Sequence, residues 1–141
     1  MTRWLFASLL IAVTTCLGGC QVDSRKEVLA TNRSQVQLRA VQTRSFAITD
    51  RPVVLRNVIA TLQDLGFVID KSDDVLGTVT GTKLSGYLMR MTVTIRPRGR
   101  SETMVRASAQ YNLDAVSDAS PYQQFFAALE KSIFLTANEV D

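Results

Sequence analysis

Two stretches, residues 87–95 and 105–113, alternate apolar and polar side chains without a break, and they constrain the fold more than anything else in the chain. Tyr87, Met89, Met91, Val93 and Ile95 share one side of an extended strand, with Arg90, Thr92, Thr94 and Arg96 on the other. Val105, Ala107, Ala109, Tyr111 and Leu113 form a second apolar row, backed by Arg106, Ser108, Gln110 and Asn112. Successive side chains of a strand point to opposite faces, so period two means a sheet with one dry and one wet face. Pro97-Arg98-Gly99-Arg100 between them is turn material. Because both apolar rows are odd-numbered, partners across the hairpin must sum to an even number, with the turn centred near Gly99 or Arg100. A slip by one residue would put Met91 and Val93 in water.

Two helices flank this hairpin in sequence. Asp50 is placed to cap the first, and Pro52 suits its opening turn. Leu55, Val58, Ile59, Leu62 and Leu65 then fall on one helical stripe, with Asn57 and Asp64 opposite, and Gly66 supplies the stop. The second helix is announced by Ser120-Pro121-Tyr122-Gln123, read as a capping box. Its stripe is Tyr122, Phe125, Phe126, Leu129 and Ile133, which leaves Phe134 and Leu135 off the stripe, either under the terminal tail or as a small contact surface.

The remaining segments are weaker. Val36 to Ile48 alternates in short stretches, clearest in Arg44-Ser45-Phe46-Ala47-Ile48, and predicts a first strand. Phe67-Val68-Ile69 opens another, Asp70 to Asp74 turns it, Thr78-Val79-Thr80 resumes it, and Gly81 to Gly86 reads as a loop. The order β-α-β-β-β-α predicts an α+β fold: a two-layer sandwich of about four antiparallel strands with two helices on one face. With 46% apolar residues, 141 residues suffice for one ordinary core and not for two typical domains.

The first twenty residues have a different character. Arg3 precedes the apolar run Trp4 to Val13, too short to span a bilayer, which takes roughly 20 residues. A charged start, a short apolar run and small residues make a secretory signal. Leu17-Gly18-Gly19-Cys20 resembles the lipobox of bacterial lipoproteins: an aliphatic residue, two small residues, then cysteine. The resemblance implies cleavage between Gly19 and Cys20, diacylglyceryl attachment to Cys20, and fatty acylation (commonly palmitate) of the new amino terminus. It further implies residues 1–19 as signal peptide, 20–35 as a lipidated start and polar linker, and 36–141 as the domain. Gln21 in place of Asp after the cysteine points, by the sorting rule of that family, to the outer membrane with the domain facing the periplasm.

Reactive groups are scarce. The chain has no histidine and only Cys16 and Cys20, so the usual general base, the commonest zinc ligand and an internal disulfide of the mature chain are all missing. No phosphate loop, nucleophile elbow or dinucleotide fingerprint is present, and the reading is of no enzyme, no cofactor and no metal. Asp70, Asp73 and Asp74 lack the alternating acids, glycine and distal Glu of a calcium loop, and turn chemistry accounts for them. Arg96, Arg98 and Arg100 at the hairpin tip, with Arg90 and Arg106 on the wet face, are either a basic contact patch for anionic headgroups or an acidic partner, or a solvated face. Loss of Arg3 with the signal leaves fifteen cations against thirteen acids, a modest +2, and an exported chain has no use for nucleic acid.

Leu62-Gln63-Asp64-Leu65-Gly66-Phe67-Val68-Ile69-Asp70, followed by Leu76-Gly77-Thr78-Val79, is similar to a helix–Gly–strand–Gly–strand pattern of small envelope lipoprotein domains, such as those of a lipoprotein component of the outer-membrane β-barrel assembly machinery. The resemblances together imply a membrane-anchored accessory or interaction module of a cell-envelope complex, with an envelope protein as partner. The alternative is a periplasmic binder of a small or lipidic ligand, held between helices and sheet near Tyr87, Met89, Met91, Phe125 and Phe126.

Overall fold

A computed structural model describes residues 34–85 and 87–138, and the side chains of all these except Ser85 and Tyr87. The signal peptide, Cys20 and the polar segment after it lie outside the described residues. In chain order the elements are helix α1 (residues 34–41), β1 (Thr43–Phe46), α2 (Arg51–Asp64), β2 (Val68–Asp73), β3 (Thr78–Ser85), β4 (Tyr87–Arg98), β5 (Glu102–Tyr111), β6 (Asp114–Ala115) and α3 (Ser120–Asn138). The class is α+β. The described strands form one antiparallel sheet in the order β1-β5-β4-β3-β2, with β6 also paired to β5.

The β4–β5 hairpin obeys the parity argument. Ile95 pairs with Val105, Val93 with Ala107 and Met91 with Ala109, each pair summing to twice 100, so Arg100 marks the centre of the turn. All six of those side chains are buried. They meet Val54, Val58 and Leu62 from α2 and Tyr122, Phe125, Phe126 and Leu129 from α3 in one continuous core. Each fully buried apolar side chain of this size contributes roughly 1.5–3 kcal/mol. The odd-numbered face of the central hairpin therefore lies under helices, and the even-numbered face does not.

The boundaries of α2 follow from its ends. Asp50 accepts a hydrogen bond from the Val53 N–H at 3.1 Å, and Pro52 stands in the first turn, where no helical donor is needed. At the other end Gly66 takes φ +85°, the Gly66 N–H donates to Gln63 O, and the Phe67 N–H donates to Leu62 O. That double bond pattern is a Schellman stop. It turns Phe67 into the core and launches β2.

Several expectations need correction. Residues 34–41 are helical and the first strand is confined to Thr43–Phe46. Leu38 and Val41, three apart, pack against the core while Val36 stays exposed, so helical spacing wins over the apparent alternation. Residues 81–85 belong to β3 and are not a loop. Gly81 is there for close approach: a Cβ on it would lie 3.2 Å from Phe67 Cβ and from Val68 O. The interruption at Asp70–Asp74 resolves into a bulge, because register slips between Ile69 and Lys71, followed by a turn that separates β2 from β3. The sheet therefore has six strands where about four were expected, and the described helices number three where two were expected.

Three side chains also change face or role. Asn57 is buried at 6% exposure, although it stood opposite the apolar stripe. Its amide donates to Val53 O, and its carbonyl oxygen accepts from Ser132 and Thr136 of α3, so it joins the two helices. Leu113, expected in the apolar row, is 92% exposed in the turn between β5 and β6, where Asn112 has φ +53°. Ser120 does not act as the cap of α3. The Asp118 carboxylate accepts from the Ser120 N–H, so the helix starts one residue earlier than the capping-box pattern places it.

Candidate functional site

The open face of the sheet is built from the even-numbered residues of β4 and β5 and the positions that pair with them. Across the sheet, Thr78, Thr94, Arg106 and Thr43 form one row, and Thr80, Thr92 and Ser108 the next. Thr82, Arg90 and Gln110 follow on one side, and Arg96, Met104 and Ser45 on the other. β-Branched threonine suits a pleated surface and keeps it polar. Thr80 and Thr92 share a hydroxyl–hydroxyl hydrogen bond of 3.2 Å, which ties β3 to β4 on this face.

The five arginines singled out from the sequence separate into distinct environments. Arg98 is engaged: it donates to Ser45 Oγ at 2.7 Å and lies 3.8 Å from the Glu102 carboxylate. Arg100 belongs to the exposed turn. Arg90, Arg96 and Arg106 lie on the open face, and among the described residues none of them has a carboxylate partner or a hydrogen bond. Arg106 stands opposite Thr94 and Arg96 opposite Met104, so the two cations are diagonal neighbours on adjacent strands. Such positions are roughly 7–8 Å apart. Thr94, Arg96, Met104, Arg106 and Ser108 line a shallow depression here.

The cations on the helical side are used differently. Arg44 lies over the Phe126 ring, 5.3 Å from its centroid, and pairs with Glu130 of α3. Lys83 donates to the Leu65 carbonyl at 2.7 Å, closing the end of α2, and lies 5.8 Å over the Phe67 ring. Arg51 donates to the Asp74 carbonyl and holds the β2–β3 turn. The aspartates of that region serve the same turn: Asp73 accepts from the Leu76 N–H at 2.8 Å, and Asp70 accepts from the Thr82 hydroxyl at 2.5 Å.

A second concavity, of about 260 Å³, opens between the end of α2, the start of β4 and the start of α3, lined among others by Phe67, Lys83, Met89, Met91, Tyr111 and Pro121. It coincides with the ligand space expected from the sequence only at Met89 and Met91. Phe125 and Phe126 are fully buried in the core, ring centroids 5.1 Å apart and edge to face. The Tyr87 side chain is outside the described residues. The volume is below the ~300–1,000 Å³ usual for ligand sites.

The chain matches no protein-family model and no curated protein. Its candidate sites therefore rest on residue chemistry and geometry. Sequence reasoning found the arginines but not Thr94, Met104 and Ser108, which complete the depression. Their even numbers already put them on the arginine face; only the pairing of β4 with β5 makes them neighbours.

Proposed function

We propose that the protein is a membrane-anchored lipoprotein of the cell envelope whose domain serves as a non-catalytic interaction module. The observation that carries this reading is Leu17-Gly18-Gly19-Cys20 after a single charge and a short apolar run. Residues 1–19 act as the signal, Cys20 takes the lipid, and the residues up to 33 link it to the folded body. The anchor is thermodynamically ample: each buried CH₂ contributes about 0.8 kcal/mol, and two or three acyl chains make attachment effectively permanent. Gln21 after the cysteine favours the outer membrane, with the domain in the periplasm.

An interaction role is supported by what lies on the surface. Phe134 and Leu135 of α3 are 65% and 53% exposed, next to each other and off the buried stripe. Adjacent exposed apolar residues suit a protein partner of the envelope. The absence of histidine, with both cysteines in the first twenty residues, favours binding over catalysis.

The test is chemical. Intact mass spectrometry of the native protein should give a mature chain beginning at an acylated Cys20. Cys20→Ser should lose metabolic acyl label and leave the membrane fraction. A mature amino terminus other than an acylated cysteine defeats the proposal.

A further inference from the structure

We infer that the open face of the sheet, centred on Arg90, Arg96 and Arg106, is a docking surface for anionic phospholipid headgroups, so that the anchored domain lies with its sheet against the bilayer. The inference rests on the lipoprotein reading for the tether and on the structure for the face.

The electrostatics are one-sided. Along β4 and β5 the even-numbered positions from Arg90 to Gln110 carry four arginines, and their single acid, Glu102, is engaged by Arg98 at the hairpin end. Arg90, Arg96 and Arg106 remain without an anionic partner among the described residues. Arg96 and Arg106 are diagonal neighbours, and like charges so placed repel. A structural role would bring a carboxylate to one of the facing positions. Those positions hold Thr94, Met104 and Gln110 instead.

The chemistry of the face selects its occupant. A guanidinium presents a planar fork that matches two oxygens of a phosphate, and the neighbouring hydroxyls of Thr94 and Ser108 add donors of the right length. The surface of a protein partner would be met by a central cluster of aromatic and aliphatic side chains. Here the depression holds one apolar side chain, Met104. A polar, phosphate-bearing plane fits better.

Magnitude and reach agree with a tethered protein. A basic residue near an anionic membrane surface contributes about a fivefold preference, so three give on the order of 100-fold. That is weak for a free protein and sufficient for one already held at the surface, where effective concentrations are roughly millimolar. The residues between Cys20 and α1 can extend to about 50 Å at ~3.3–3.6 Å each, longer than the twelve-residue strand β4.

The experiment compares the full chain carrying Cys20→Ser, which has no acyl anchor, with the same chain carrying R96Q/R106Q or R96K/R106K. Each is titrated with vesicles of phosphatidylcholine alone and with roughly 30% phosphatidylglycerol, at low and at high salt. The apolar signal segment contributes equally to both vesicle types and cancels in the ratio. Expected is a preference for the anionic vesicles that falls about 25-fold in R96Q/R106Q, largely survives in R96K/R106K, and fades at high salt. Folding is not at risk, since the glutamines relieve repulsion. An R96Q/R106Q chain with undiminished preference overturns the inference. So does a face that loses a protein crosslink in intact membranes while vesicle preference is unchanged, which would assign it to an acidic protein. Acyl labelling of the unsubstituted chain reads the anchor separately, so failure of one is not mistaken for failure of the other.

Discussion

At the scale of single residues, the fold depends on a few polar atoms placed where apolar packing leaves a gap. β1 and β6 occupy the same edge of β5 but leave the backbone around Ala109 between them. The Tyr122 hydroxyl fills that gap: it accepts from the Ala109 N–H and from the Gln42 side-chain amide, each at 3.2 Å, and donates to Val116 O at 2.8 Å. Tyr122→Phe leaves those buried groups unsatisfied and should destabilise by about 1–3 kcal/mol. Urea unfolding with an unchanged slope is the measurement. Glycine matters at Gly77 for a different reason. It has φ +63°, and a Cβ there would fall 2.6 Å from Ile95 O, whose own N–H donates to Gly77 O. Gly99 has nearly the same φ with nothing within 4 Å. Gly77→Ala should therefore cost at least about 2 kcal/mol more than Gly99→Ala, which meets only the ~1–2 kcal/mol conformational penalty. Equal shifts of the urea midpoint would refute the steric argument.

At the scale of elements, β4 and β5 are the spine and the other strands are additions to it. Each is paired on both sides for part of its length and roofed by helices on its odd-numbered face. β2 is an edge strand broken by a bulge at Asp70 and carrying Lys71, features that discourage pairing with another chain. Native-state hydrogen exchange should rank these differences. The amides of Val93, Val105 and Ala107 should open only with global unfolding, while those of β2 beyond the bulge and of the two-residue β6 should exchange through local opening. Protection in β2 equal to that in β5 would contradict this hierarchy. The Schellman stop at Gly66 couples α2 to β2 within the same hierarchy, because it places Phe67 in the core.

At the scale of the whole molecule, the two sides of the sheet have opposite characters. One is covered by helices whose outer surface carries exposed Phe134 and Leu135; the other is open, hydroxyl-rich and basic. In the proposed arrangement the lipid and the open face meet the membrane, and α3 remains available to a protein. Phe134→Ser with Leu135→Ser should leave thermal stability within about 0.5 kcal/mol of the parent, as exposed residues do, while reducing crosslinked partner recovered from intact membranes. Partner recovery unaffected by the pair would remove α3 from the interaction surface.

What could be read directly was whatever obeys a short-range rule. The odd-numbered rows on β4 and β5, the cap at Asp50 and the stop at Gly66 depend on neighbours within a few residues, and the structure keeps all of them. The lipobox is also local, which is why the proposed anchor is legible without a fold. Tertiary structure decided the rest. Gly81 becomes strand because Phe67 needs its missing side chain. Asn57 turns inward because Ser132 and Thr136, more than seventy positions away, supply its partners. Arg96 and Arg106 become neighbours through strand pairing. Local propensities act over one turn of chain, whereas burial and pairing depend on which distant segments meet, and only the folded chain brings those segments together.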